Sequence, residues 1–176
     1  NLYKSEGFKG LLRGFRFVID RSQNAEFQAG HSYGEWIQQY DLISEMQRQG
    51  IRADFKQLDL CPLISIIMPV YNPDLNWLGE AIESVQSQLY ENWELCIADD
   101  ASTDPGLKKF LEEIQSVDQR VKIIFREENG HISVASNSAA EIASGEWLAL
   151  MDQDDLLPEH ALYWIVKAIN KSPEAG

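Results

Sequence analysis

"LISIIMPVYNPDLNWLGEAIESVQSQLYENWELCIADDASTD" covers residues 63–104, and its reading decides the fold. It opens on a short apolar run rich in β-branched residues, 63–70, which lacks the polar alternation of a half-exposed strand and is too short for a buried helix. A strand covered on both faces is expected there. Residues 78–89 then place Ala81, Ile82, Val85 and Leu89 at helical spacing. A second apolar run, 93–99, follows. Buried strand, amphipathic helix and buried strand in succession point to two parallel strands joined by a right-handed crossover.

Working outward, the alternation continues downstream. A helix over 106–117 buries Leu107, Phe110, Leu111 and Ile114, and a third strand covers 121–125. A helix of small residues over 132–144, stopped by Gly145, can lie close to a sheet, and a fourth strand covers 146–152. A last helix spans 158–170, with Pro158 suited to its first turn. The expected fold class is α/β, a doubly wound and mostly parallel sheet. Upstream, Phe8, Leu11, Leu12 and Phe15 recur at helical spacing among basic residues. Residues 33–49 put Trp36, Ile37, Tyr40, Ile43 and Met46 on one helix face, with Gly50 as the expected stop and 51–62 as a linker. The expected organisation is an N-terminal helical extension and linker (1–62) followed by the α/β part (63–176). The chain starts at Asn1 and ends just after a helical segment, which reads as a piece of a longer protein.

Composition narrows the function. A hydrophobic content of 44% with five Trp suits a globular protein. A net charge of −13 leaves no basic excess to neutralise phosphates, so no nucleic-acid partner is expected. Cys61 and Cys96 are far apart, which gives neither a disulfide framework nor a zinc site and fits a reducing compartment. Cys96, inside an apolar run, is expected to be a small buried hydrophobe. No stretch approaches the length of an apolar bilayer span.

The unusual residues gather where strands end. Pro69, Val70 and Tyr71 follow the first strand, Asp99 and Asp100 the second, Arg126, Asn129, Gly130 and His131 the third, and Asp152, Asp154 and Asp155 the fourth. Open parallel sheets bind ligands beyond the carboxyl ends of their strands, so these clusters should meet on one rim. Three crowded carboxylates call for a cation, and Mg²⁺ takes one or two carboxylates together with phosphate oxygens. Tyr71 could line a slot for a flat base, and Asp99 or Asp100 could accept hydrogen bonds from a base or a ribose. The composite ligand is a nucleoside diphosphate with a metal. Plainer roles stand beside this reading: Asp104 as a helix cap, Asp152 and Asp155 as caps of the last helix, His131 as a turn residue. Arg126 could neutralise phosphate or pair with Glu127 or Glu128 at the surface. Neither GxGxxG nor a P-loop motif is present.

The segments "ISIIMPVYN", "WELCIADDASTD", "NGHISVASNSA" and "GEWLALMDQDDLLPEHAL" resemble, in order and spacing, family 2 glycosyltransferases of the GT-A fold, over residues 63–170. Within that family the chain most resembles bacterial transferases that build surface polysaccharides such as O-antigen. The resemblance implies that Pro69, Val70 and Tyr71 flank the nucleobase and that Asp100 contacts it with Asp99 alongside. Asp152-Gln153-Asp154, with Asp155 adjoining, would be the DxD-type motif. Asp154 would touch ribose or metal, Asp155 the metal, and Asp152 would stand near it. Asn129, Gly130, Ser133 and Asn137 match a recurring family segment, of which Asn129 and Gly130 are assigned to the donor site; Gly130 could instead serve a turn, and Asn137 could satisfy backbone groups inside the fold. It further implies Mn²⁺ or Mg²⁺ as cofactor and a nucleotide-sugar donor, with UDP favoured over dTDP or GDP. The acceptor would be a glycan or lipid-linked, and the location cytoplasmic, with peripheral membrane association. The family's general base follows the DxD-type motif by more residues than remain here. Glu159, expected in the first turn of the last helix, and Glu174 are the acidic residues left, so this stretch should bind donor without completing transfer. Two other readings remain: a non-catalytic, transferase-like scaffold module, and a phosphoacceptor receiver domain. The latter is disfavoured because the acidic pair follows the second strand and no strand-end lysine follows a later one.

Overall fold

The computed structural model describes residues 42–172. Its strands β1 (Ile64–Val70), β2 (Trp93–Asp99), β3 (Val121–Phe125) and β4 (Trp147–Leu150) are all parallel and lie in the order β3-β2-β1-β4. The helices are α1 (Glu45–Asp54, continued by a 3₁₀ turn at Phe55–Gln57), α2 (Leu75–Gln86), α3 (Pro105–Val117), α4 (His131–Glu141) and α5 (Ala161–Lys171). The connection from β3 to β4 crosses the whole sheet. The strand order therefore reverses at β1, and α4 packs on the face opposite the other crossover helices.

Side-chain alternation explains the two cores. Ile64, Ile66, Met68 and Val70 of β1 point to one face, where they meet Leu78 and Ile82 of α2, Leu107 and Leu111 of α3, and Leu162 and Val166 of α5. Ile67, Cys96 and Ala98 point to the other face and meet Ala135 and Ala139 of α4. Small residues on α4 let it sit close to the strands, and Cys96 is the buried hydrophobe its setting predicted. Among the described residues the fourth strand is an edge strand with Leu148 and Leu150 exposed, and it is shorter than the expected 146–152.

Element ends shift where a cap decides them. α2 starts before its apolar stripe because the Asp74 carboxylate accepts the Asn76 N–H (2.8 Å) and the Trp77 N–H (3.4 Å). Asp104 caps α3 as expected, accepting from the Gly106 N–H at 2.8 Å, with Pro105 at the first helical position. α5 begins at Ala161, so Pro158 and Glu159 lie before it rather than in its first turn. Its N-cap is His160, and neither Asp152 nor Asp155 caps it.

The largest departure lies upstream. Gly50 does not stop a helix: α1 runs through it, started by a capping box between Ser44 and Gln47. Residues 51–57 are not a linker either. Ile51 is buried, and the Phe55 ring meets Tyr90 at 5.5 Å and Tyr163 at 5.6 Å between centroids. The Asp54 carboxylate accepts from the Tyr163 hydroxyl (2.6 Å) and Lys167 Nζ (2.8 Å). Periodicity missed this because the contacts come from isolated residues and not from a stripe. The helical expectation over 8–15, and that over 33–49 up to residue 41, lie outside the described residues.

At the amino ends of the strands a buried carboxylate holds the turn into β4. Glu94 accepts from the Ser65 hydroxyl at 2.7 Å and from the backbone N–H groups of Ser144 and Gly145, and pairs with Lys122 at 2.7 Å. A Cβ on Gly145 would stand 2.5 Å from the Leu63 carbonyl oxygen, so the turn accepts no side chain there. Burial pushes the Glu94 carboxyl up, but Lys122, the Ser144 N–H and the Ser65 hydroxyl outweigh it and hold the carboxyl below the ordinary glutamate value. A depressed folded pKa contributes stability above the unfolded value that is lost as pH falls through the folded one. The urea midpoint should therefore drop on acidification, and Glu94→Gln, less stable near neutrality, should show a shallower drop over the same window.

Candidate functional site

The carboxyl ends of all four strands open into one cleft of about 400 Å³. Pro69, Val70 and Tyr71 line it from β1, Asp100 from β2, Asn129 and His131 from the β3–α4 turn, and Asp152, Gln153 and Asp154 from the loop after β4. The four clusters do converge. Four of the expected residues stand off the cleft wall, Arg126 among them. Asp99 turns inward and accepts the Ser102 N–H at 3.2 Å, Gly130 offers its N–H to Asp100, and the exposed Asp155 follows a turn closed by its N–H on the Asp152 carbonyl (3.3 Å).

The rim is shaped by backbone that side chains rarely tolerate. Asn72, Ala101 and His131 have φ of 43°, 59° and 62°, one in the loop after each of β1, β2 and β3. Left-handed backbone costs a non-glycine residue about 1–2 kcal/mol, so the loops must be held by other bonds. Asn72 supplies some of them: its N–H donates to the Ser102 hydroxyl (2.9 Å) and its side-chain oxygen accepts the Thr103 N–H (2.8 Å). Gly130 itself is not left-handed. It is a glycine because a Cβ would lie 2.8 Å from both Arg126 Nη2 and Val134 Cβ.

Asp100 is buried, and its carboxylate organises the floor of the cleft. Oδ1 accepts from Arg126 Nε at 2.7 Å and from the Gly130 N–H at 2.9 Å, and Oδ2 accepts the same N–H at 3.1 Å. Arg126 also donates to the Ser138 hydroxyl at 2.6 Å and to the Glu128 carbonyl at 3.3 Å. The expected surface pair with Glu127 or Glu128 is thus replaced by a buried pair with Asp100. Sequence spacing gave no sign of it, because the partners sit on neighbouring strands. Asn129 donates to the Asp100 carbonyl at 3.2 Å and accepts the His131 N–H at 3.2 Å. Ser133 and Asn137 are exposed on α4, so Asn137 does not satisfy buried backbone groups, and the buried polar side chain of that helix is Ser138.

Gln153, the central residue of the acidic motif, is a brace. Its Oε1 accepts the Tyr71 N–H at 2.8 Å and its Nε2 donates to the Tyr71 carbonyl at 3.4 Å. At its far end the acidic loop is pinned by Gln88, which donates to the Pro158 carbonyl at 2.8 Å, and by Glu159, which accepts from Arg48 Nη2 at 2.7 Å and Nε at 2.8 Å. Arg48 holds the Glu159 carboxyl below the ordinary glutamate range.

The carboxylates of Asp152, Asp154 and Asp155 are exposed, and among the described residues none of them has an ion-pair partner. Among the described residues no three Asp, Glu, His or Cys side chains gather to hold a metal unaided, so a cation here would need oxygens from its ligand as well. Two oxygen donors facing one cleft, Asp152 and Asp154, still fit a hard divalent cation that completes its shell with phosphate oxygens.

The family model described as "Glycosyl transferase family 2" matches residues 65–176. The chain belongs to this family. With that, the receiver-domain reading lapses. Among curated relatives of this family 2 glycosyltransferase chain, protein y4gI of Sinorhizobium fredii is 53% identical over 120 residues, covering 68% of this chain and 13% of y4gI. The UDP-Glc:alpha-D-GlcNAc-diphosphoundecaprenol beta-1,3-glucosyltransferase WfgD of Escherichia coli is 40% identical over 94 residues, covering 53% of this chain and 36% of WfgD. Among solved structures, TarS 1-349 of S. aureus in complex with UDP-GlcNAc aligns with a TM-score of 0.55 at 27% identity, over 61% of this chain and 31% of that one. The chain therefore spans well under half the length of these relatives. No helix among the described residues is long and apolar enough to cross a membrane.

Proposed function

We propose that this chain is the donor-binding part of a metal-dependent glycosyltransferase that moves a sugar from a nucleoside-diphosphate carrier to an acceptor hydroxyl in surface-polysaccharide assembly. The observation that carries this reading is the single cleft into which all four strand ends deliver a flat ring, backbone groups and unpaired carboxylates. Tyr71, half exposed beside Pro69 and Val70, suits the face of a base. Asp154 and Asp152 would hold Mn²⁺ or Mg²⁺ at the diphosphate end, with Asp155 next to them in the loop. Asp99 and Gly130 act from behind the wall, by fixing the turns that carry Asp100 and Asn129.

Bound there, the metal would supply Lewis-acid stabilisation of the charge that develops on the departing diphosphate. The protein's own part is to hold the nucleotide: Gln153 locks the Tyr71 backbone, and the Arg126–Asp100 pair fixes the floor. Bound UDP-GlcNAc in TarS, and the UDP-Glc named for WfgD, support a uridine nucleotide as donor, with dTDP and GDP as the other candidates. The acceptor is a glycan or lipid-linked saccharide met at the cytoplasmic membrane face.

Calorimetric titration with UDP, dTDP and GDP, each with Mn²⁺ and with EDTA, tests this. One nucleotide should bind in the micromolar to low-millimolar range and weaken at least tenfold in EDTA, a loss of about 1.4 kcal/mol. Equal binding in EDTA would remove the metal from the reading, and no binding of any nucleotide by folded chain would remove the donor site.

A further inference from the structure

Trp77 stands in the first turn of α2 with its side chain outside the buried stripe of Leu78, Ala81, Ile82 and Val85, and it is 60% exposed. A single exposed aromatic is ordinary. Trp77, however, lies in a second concavity, about 280 Å³, whose other walls are Glu80, Leu156 and Asp154. Glu80 falls three residues after Trp77 on the same helix face, and Leu156, 61% exposed, comes from the acidic loop. Asp154 also lines the nucleotide cleft, so the two cavities meet at one carboxylate.

This wall is amphipathic in a particular way. Trp77 and Leu156 offer an apolar platform, while Glu80 and Asp154 offer hydrogen-bond acceptors beside it, and neither carboxylate is in an ion pair with a described residue. A pyranose ring presents the complement: a flat face of C–H groups and a rim of hydroxyl donors. We infer that the Trp77 cavity is a saccharide subsite, with the indole stacking on a pyranose face and Glu80 and Asp154 accepting from its hydroxyls. The inference rests on the donor-binding reading for its link to transfer, since a sugar there sits across Asp154 from the nucleotide. The pyranose is either the donor's own sugar or that of the acceptor.

The test uses the whole 176-residue chain with ¹⁵N-labelled tryptophan, the Trp77 indole being assigned from its absence in Trp77→Phe. Calorimetry in Mg²⁺ compares UDP with UDP-glucose and UDP-GlcNAc, and NMR follows the indole signal during titration with methyl β-glucoside and methyl N-acetylglucosaminide. Trp77→Ala should leave UDP affinity within about twofold and weaken a saccharide-bearing ligand by about tenfold, with Trp77→Phe retaining most of the binding. Loss confined to the nucleotide sugars assigns the donor's sugar, and loss confined to the free glycosides assigns the acceptor. An indole unmoved by every saccharide, with affinities unchanged in the alanine variant, overturns the subsite. If wild-type chain binds no UDP yet the glycosides shift the indole, the subsite stands and the donor-binding reading falls.

Discussion

Replacing Asp154 by alanine should weaken metal-dependent nucleotide binding by about 100-fold or more while leaving the urea midpoint nearly unchanged. Changing a residue that only hydrogen-bonds to a metal's ligands already costs about 10–100-fold in affinity, and a residue that would touch the metal or ribose should cost no less. Stability should hardly move, because the Asp154 carboxylate is exposed and has no ion-pair partner among the described residues. Removing it even relieves repulsion within an acidic loop. Asp155→Ala separates two geometries. Asp155 stands off the cleft, so a loss as large as that of Asp154→Ala would mean that the loop turns on binding and brings Asp155 to the cation. A small loss would leave Asp152 and Asp154 as the protein's ligands. The EDTA arm supplies the internal check: nucleotide binding that survives without metal should be insensitive to either substitution.

The fold was legible because its signals are local. Buried parallel strands are uninterrupted apolar runs, and the helices between them carry stripes, so 64–70, 93–99 and 121–125 emerge nearly to the residue. The rim was legible for the same reason, since every cluster directly follows a strand. Pairing across the rim was not. Arg126 finds Asp100, Gln153 finds the Tyr71 backbone, and Glu94 finds Lys122, each over a separation that only the strand order brings together. Gln153 shows the limit well: flanked by carboxylates, it reads as a spacer, yet it ties the acidic loop to β1. Residues 50–57 depart from the linker expected there because the helix that runs on through Gly50 has a polar pattern and its last turns are secured by single anchors such as Phe55.

Arg126→Ala should be among the most destabilising single substitutions in the domain, at about 3–5 kcal/mol in urea unfolding. The reason is asymmetry. The Asp100 side chain is 3% exposed and that of Arg126 19% exposed, so deleting the arginine leaves a largely buried carboxylate without its counter-charge, with one backbone N–H as its remaining protein donor. Ser138 loses its partner as well, and the close packing of Gly130 against Arg126 is lost. Ser138→Ala, which removes one hydrogen bond and keeps the charge pair, should cost only about 1 kcal/mol. Adding Asp100→Asn to Arg126→Ala should recover part of the loss, because a neutral amide is less costly to bury than an unpaired charge. The double variant would still bind nucleotide poorly, since the floor on which the β2 and β3 loops are fixed has lost its cross-link. A loss under about 1 kcal/mol for Arg126→Ala would mean that Asp100 finds another cation or reaches water on its own, and the pair would then be a passenger of the turn and not its anchor.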